Sequence, residues 1–274
     1  MGVTEMFKLN IRSYVPFAVS EMKSFMSYRM AFFIYLLSEF FMMMVTYFLW
    51  RAIYQSSASP TLGGFSFEEM TSYVLVGFFT SGIVFSVPTM LISREVADGS
   101  IAMNLLKPIS YRGRILAISI GSMISSGLMT LLPFMIIFIL DGWVIWPGFE
   151  RFLLYFVSVL LSFLNMFTFE FCFSILAFYT TYFFGLNMAS DVIIRFFSGA
   201  LIPLTFFPEA VADVFRLLPF ASMSYTPIMI YLGKITGGEM YRSLAIQLVW
   251  IVIFYLLGSL LWQHAIKRLT ILGG

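Results

Sequence analysis

The sequence predicts an all-α polytopic membrane protein with six transmembrane helices. An N-terminal interfacial amphipathic helix precedes them, and a re-entrant helical hairpin lies between spans five and six. Three observations predict this class. Of 274 residues, 60% are hydrophobic and 11% are charged, whereas soluble domains run nearer a quarter charged. So apolar a chain cannot cover itself with polar surface, and lipid must be part of its solvent. Six apolar stretches approach the roughly 20 residues that cross about 30 Å of hydrocarbon. A further apolar stretch is cut by Pro203, Pro208, Pro219 and Pro227 into pieces too short to span. No soluble domain, low-complexity tract or clear internal repeat divides the chain, so residues 1–274 read as a single transmembrane domain.

The elements follow in order. Residues Glu5–Arg29 are too short and too polar to span. Phe7, Ile11, Tyr14, Val15, Ala18, Met22 and Phe25 recur at helical steps, while Lys8, Arg12, Glu21 and Lys23 fall largely elsewhere. That is the pattern of a helix lying in the membrane interface, with Pro16 expected to kink or divide it. The spans are expected at Met30–Trp50, Tyr73–Ile92, Ile115–Leu140, Phe152–Tyr182, Asp191–Phe207 and Leu244–Trp262. The first is too long for a signal-peptide core and lacks a small-residue cleavage site, so it reads as retained. Asp191, after Ser190, suits an N-cap of the fifth span. Trp143 and Trp146 suit an interfacial aromatic belt. In the segment 198–233, Glu209, Asp213 and Arg216 share one side of a short helix. Irregular backbone at membrane depth persists only against protein or a wet cavity. A hairpin dipping back from the outer face fits this segment, and one more broken span is the alternative.

Lysine and arginine counts in short loops set orientation. With a cytoplasmic N-terminus, ten fall inside: Lys8, Arg12, Lys23, Arg29, Arg94, Lys107, Arg112, Arg114, Lys267 and Arg268. Five fall outside: Arg51, Arg151, Arg216, Lys234 and Arg242. The excess favours both termini inside, which an even number of spans permits.

Glu39, Glu170 and Arg195 lie within predicted spans. A charge near the bilayer centre costs about 2.5–3.5 kcal/mol on insertion scales, so such residues face the bundle interior and find partners. Glu39 sits about 13 Å from the inner end of its span at 1.5 Å per residue. A pair between Arg195 and Glu170 or Glu39 is geometrically open. These charges fit either a polar lining of a path or buried ties between helices.

Several chemistries are excluded. One cysteine, Cys172, and one histidine, His264, leave no intrachain disulfide, no thiolate metal site and little His-dependent catalysis. No G-x-x-x-x-G-K-[ST] phosphate loop occurs, and Gly233-Lys234 lacks both the earlier glycine and the following hydroxyl. A net charge of +2 with no basic cluster interleaved with aromatics gives no sign of nucleic-acid binding.

The loop Ser93–Arg114, between the second and third expected spans, concentrates Arg94, Glu95, Asp98, Lys107, Arg112 and Arg114. Within it, Gly99-Ser100-Ile101 precedes Leu105-Leu106-Lys107-Pro108-Ile109-Ser110. This order resembles a loop of the type-2 ATP-binding-cassette (ABC) transporter permeases, in which glycine precedes a leucine pair and a basic-Pro-Ile-Ser sequence. Ser198-Gly199 with Ile202-Pro203, then Leu218-Pro219-Phe220, Pro227 and Gly233, resemble that family's extracellular re-entrant hairpin. Tyr28-Arg29 before the first span and Trp50, Ala52, Ile53 and Tyr54 at its end are similar to bacterial members encoded without their own ATPase.

The resemblance implies a dimeric permease of an ATP-driven exporter in a bacterial cell membrane, with no catalytic residue or metal of its own. ATP and Mg would bind in a separate ATPase subunit. The loop 93–114 would be a coupling loop, with Arg94, Glu95, Asp98 and Lys107 contacting the ATPase and Gly99 allowing a turn. The alternative for the loop is a solvated linker. The second and fifth spans would lie at the dimer seam, with Gly77, Gly82 and Pro88 permitting bending. Pro203, Pro208, Glu209, Asp213 and Pro219 would belong to the hairpin. An ion-coupled secondary transporter built on Glu39, Glu170 and Arg195, or a membrane scaffold that transports nothing, are the competing readings.

Overall fold

The computed structural model describes residues 11–27, 29–141, 145–180, 183–200 and 202–267. Phe7, Lys8, Tyr28, Trp143, Tyr182 and Arg268 lie outside the described residues.

The helices are α1 (Val15–Ser27), α2 (Arg29–Ser56), α3 (Phe67–Ile83), α4 (Pro88–Ala97), α5 (Ile101–Leu105), α6 (Tyr111–Asp141), α7 (Phe149–Ser174), α8 (Phe183–Phe197), α9 (Glu209–Leu217), α10 (Tyr225–Tyr231) and α11 (Gly237–Ile266). Among the described residues, five apolar stretches are long enough to cross a membrane: Leu36–Ser56, Phe67–Ala97, Tyr111–Leu132, Phe149–Phe178 and Gly237–Ile266. Their composition and number make this a multi-pass membrane protein.

Pro16 does not divide α1. It stands in the first turn, where the N–H it lacks has no helical acceptor in any case. α1 lies along α6. A Cβ on Gly121 would meet the backbone carbonyl of Ala18, so the absence of a side chain there allows the two backbones to approach.

The second expected span is two helices. α3 opens on a capping box, in which Ser66 Oγ accepts from the Glu69 N–H and the Glu69 carboxylate accepts from the Ser66 N–H. It stops at Ile83, and α4 restarts with Pro88 in its first turn. Gly82 packs against the Thr130 side chain, and its carbonyl accepts from Ser126 Oγ at 2.6 Å. The break therefore falls between Gly82 and Pro88, two of the residues marked for bending.

The fifth expected span is shorter and begins earlier than Asp191–Phe207. α8 has 15 residues, starts at Phe183 and ends at Phe197, just before Gly199. Pro203 and a single 3-10 turn, Leu204–Phe206, follow. Asp191 is consequently not an N-cap but sits in the middle of α8.

The proline-rich stretch folds into α9 and α10. Every residue of α10 is buried, and α10 packs on α3 and α7. The α10 part of this stretch is thus covered by protein, as irregular backbone in an apolar setting requires. Gln247 of α11, fully buried, fastens it. Its Nε2 donates to the Ser222 carbonyl at 2.8 Å and to Ser162 Oγ of α7 at 3.0 Å. Its Oε1 accepts from Ser158 Oγ at 3.1 Å. Nearby, Asn165 Nδ2 donates to the Pro219 carbonyl at 3.2 Å.

Candidate functional site

The loop 93–114 builds one end of the bundle. α4 enters it and stops at Asp98, whose Oδ1 accepts from the Ser100 N–H at 2.9 Å. The Ser100 hydroxyl and amide hold the Asp98 carboxyl below the usual carboxylate range. Gly99 takes φ +75, a left-handed conformation that glycine adopts without penalty, and reverses the chain into α5. Ile101 is buried and anchors α5 in an apolar cluster with Ile92, Ile115, Phe167 and Phe171.

This anchoring turns the other face of α5 outward. Met103 is 69% and Leu106 79% exposed, and Arg94, Asp98, Lys107 and Pro108 are exposed around them. Lys107 Nζ donates to Asn104 Oδ1 at 2.8 Å and stands 5.8 Å over the Phe17 ring of α1. The Ser110 N–H donates to Tyr14 Oη at 3.0 Å, joining the loop to the segment before α1.

Glu95 takes a different place from its four expected companions. Consecutive residues on a helix point about 100° apart, so Arg94 is exposed while Glu95 is turned into the bundle. Arg114 Nη2 donates to both of its oxygens, at 2.6 and 2.7 Å, and Tyr111 Oη donates to Oε2 at 2.8 Å. Its carboxylate is sealed inside and does not form part of the outer surface. Arg112, two residues before Arg114 on α6, donates to Ser259 Oγ at 2.8 Å and to the Tyr255 carbonyl at 3.3 Å. Its guanidinium lies 4.3 Å from the Phe171 centroid and 4.6 Å from that of Tyr255. The base of the exposed patch is therefore tied to α6, α7 and α11.

The three charges expected within spans are not brought together. Glu39 is half-buried in an apolar groove beside Met43, Leu75, Phe78 and Thr130. Glu170 is buried and accepts from the Thr89 N–H at 3.3 Å, while Thr89 Oγ1 donates to its backbone carbonyl at 3.2 Å. Arg195 pairs with neither glutamate. It binds Asp191 one turn earlier at 2.9 Å, and both side chains are exposed.

In the proline-rich stretch, Pro203 and Pro219 are buried, and Pro208 precedes the first turn of α9. Glu209, Asp213 and Arg216 are exposed and share one side of α9, the side that also carries buried Ala212. Asp213 and Arg216 pair at 2.9 Å.

Sequence reasoning missed Gln247, Tyr111 and Tyr14 as organising residues. A search for polar side chains of every kind within the spans, rather than charges alone, would have raised Gln247. Nothing local marks Tyr14, whose partner is 96 residues away.

No curated protein and no solved structure matches the chain. A family model described as ABC-2 family transporter protein matches residues 40–273. That match begins within α2 and takes in the other four long apolar helices, the exposed loop and the proline-rich stretch, and the chain belongs to the ABC-2 transporter family.

Proposed function

We propose that this chain is the permease subunit of an ATP-driven ABC exporter and docks a separate ATPase through the end formed by α4 and α5. One observation carries the reading. Met103 and Leu106 stand exposed among Arg94, Asp98 and Lys107, and this mixed patch sits on a base braced by buried ion pairing. Apolar anchors ringed by polar groups are the ordinary make-up of a protein interface. The chain holds no phosphate loop, so hydrolysis belongs to the companion, which would bind ATP and Mg. The excess of lysine and arginine at this end supports a cytoplasmic placement, with both termini on that side.

The membrane unit is a dimer. α8 exposes Phe184, Met188, Val192 and Phe196 on the same side as the Asp191–Arg195 pair. Ion pairs are costly against lipid, so a second permease covers this face. α8 serves as a short fifth span, and the segment through α9 and α10 is a re-entrant hairpin at the outer side. Closure of the ATPase dimer acts on α4, and the break between α3 and α4 lets α4 move while α3 stays packed. ATP binding can favour one arrangement only through contacts that differ between the two.

An ion-coupled path is disfavoured because Glu170 is closed off by Thr89 and Arg195 by Asp191. The test of docking is co-purification. Leu106→Asp is expected to release the ATPase while leaving the thermal unfolding of the permease unchanged. An intact, fully coupled complex with that substitution would overturn the assignment.

A further inference from the structure

A groove of about 690 Å³ opens at the opposite end of the molecule, between the loop before α3, α9, α10 and the start of α11. Its size falls within the range of small-ligand sites. Its charges do not all remain available. Lys234 is engaged by Glu69 at 2.6 Å, and Arg216 by Asp213 at 2.9 Å. Two charged lining residues are left over, Glu239 and Arg242, both exposed on α11, and neither makes an ion pair within the described residues.

Residues three apart on a helix are neighbours, with Cβ atoms about 5–6 Å apart. The groove therefore presents one free acid and one free base a single turn apart. Beside them lies an apolar wall of Phe65, Met229, Ile235 and Ile246. A purely anionic ligand would meet Glu239 and a purely cationic one would meet Arg242. A ligand carrying both charges, joined by a short bridge and attached to an apolar body, satisfies all three features.

We propose that this groove binds a zwitterionic phospho-amine headgroup, its phosphate on Arg242 and its ammonium on Glu239. An outer-leaflet phospholipid and a soluble phospho-amine share that chemistry. The site rests on the proposed orientation only for which leaflet it meets. Binding is measured on the chain without any ATPase, so failure here leaves the docking assignment standing, and the reverse holds too.

The test is calorimetric titration of the purified full chain, in a nonionic detergent, with three probes. These are short-chain phosphatidylethanolamine, phosphatidylglycerol of the same chain length, and glycerophosphoethanolamine. The ethanolamine lipid is expected to bind at least about tenfold tighter than the glycerol lipid, the loss of one charge-assisted hydrogen bond being of that size. Glu239→Gln should erase the preference, and Arg242→Gln should weaken both lipids. Since both residues are exposed, the thermal unfolding temperature should not move, which separates lost binding from lost folding. Competition by glycerophosphoethanolamine at similar concentration would assign the site to a free solute, and its failure to compete would assign it to the lipid. Equal affinity for the two lipids, or unchanged preference in both variants, would overturn the proposal.

Discussion

Arg114 Nη2 lies 2.6 Å from Glu95 Oε1, and their side chains are 6% and 8% exposed. The pair joins the end of α4 to the first turn of α6 across the loop that separates them. Tyr111 completes it, donating its hydroxyl to the carboxylate and placing its ring 5.0 Å from the guanidinium.

Removing one partner of such a pair leaves a bare buried charge, which costs about 3–5 kcal/mol. Arg114→Met alone should therefore lower the thermal unfolding temperature of the purified chain markedly. Replacing both, Glu95→Leu with Arg114→Met, should restore most of the loss, because two buried charges vanish together. A double variant as unstable as the single one would show that the pair does not act as a unit.

Gln247→Leu tests the fastening of the proline-rich stretch. The leucine leaves Ser158 Oγ without its acceptor and withdraws a donor from the Ser222 carbonyl. The expected cost is about 1–3 kcal/mol, the range for an unsatisfied buried polar group. Hydrogen exchange should rise locally in α10. Unchanged exchange there would contradict the assigned role.

Much of this was legible beforehand because composition and apolar run length are governed by the solvent, not by partners. The long apolar helices and the proline-cut stretch follow from hydropathy and from proline's missing N–H. Gly99 marked its turn, and Gly82 and Pro88 bracketed the break in the second span. What stayed hidden depended on partners distant in sequence. Glu95 looked like Arg94 and Asp98, a charge in a hydrophilic loop. Only the approach of α6 turns it into a buried tie. Asp191 looked like a helix cap because Ser190 preceded it. The helix in fact begins eight residues earlier, and Asp191 faces Arg195 one turn on.

The α8 face gives a further prediction. In a chain carrying Cys172→Ser, the only native thiol is gone. Val192→Cys, 62% exposed beside the Asp191–Arg195 pair, should form a disulfide-linked dimer in membranes under mild oxidation. Tyr241→Cys, equally exposed but on α11, should not. Crosslinking at 241 and none at 192 would place the seam elsewhere.

Gly121→Val tests the seat of α1. Its side chain would occupy the space now taken by the Ala18 carbonyl, so α1 should lift from α6. Protease sensitivity between α1 and α2 should rise, with little change in the unfolding temperature of the bundle. Unaltered cleavage would mean that the contact contributes nothing to holding α1.

The central claim concerns the side of the membrane and the occupant of the α4–α5 end. Leu106→Cys in the Cys172→Ser chain can be probed with a membrane-impermeant maleimide. Labelling should occur in inside-out vesicles stripped of peripheral protein, fail in right-side-out vesicles, and be blocked when the ATPase companion is added back. Labelling from the outside, or labelling undiminished by the companion, would contradict the account.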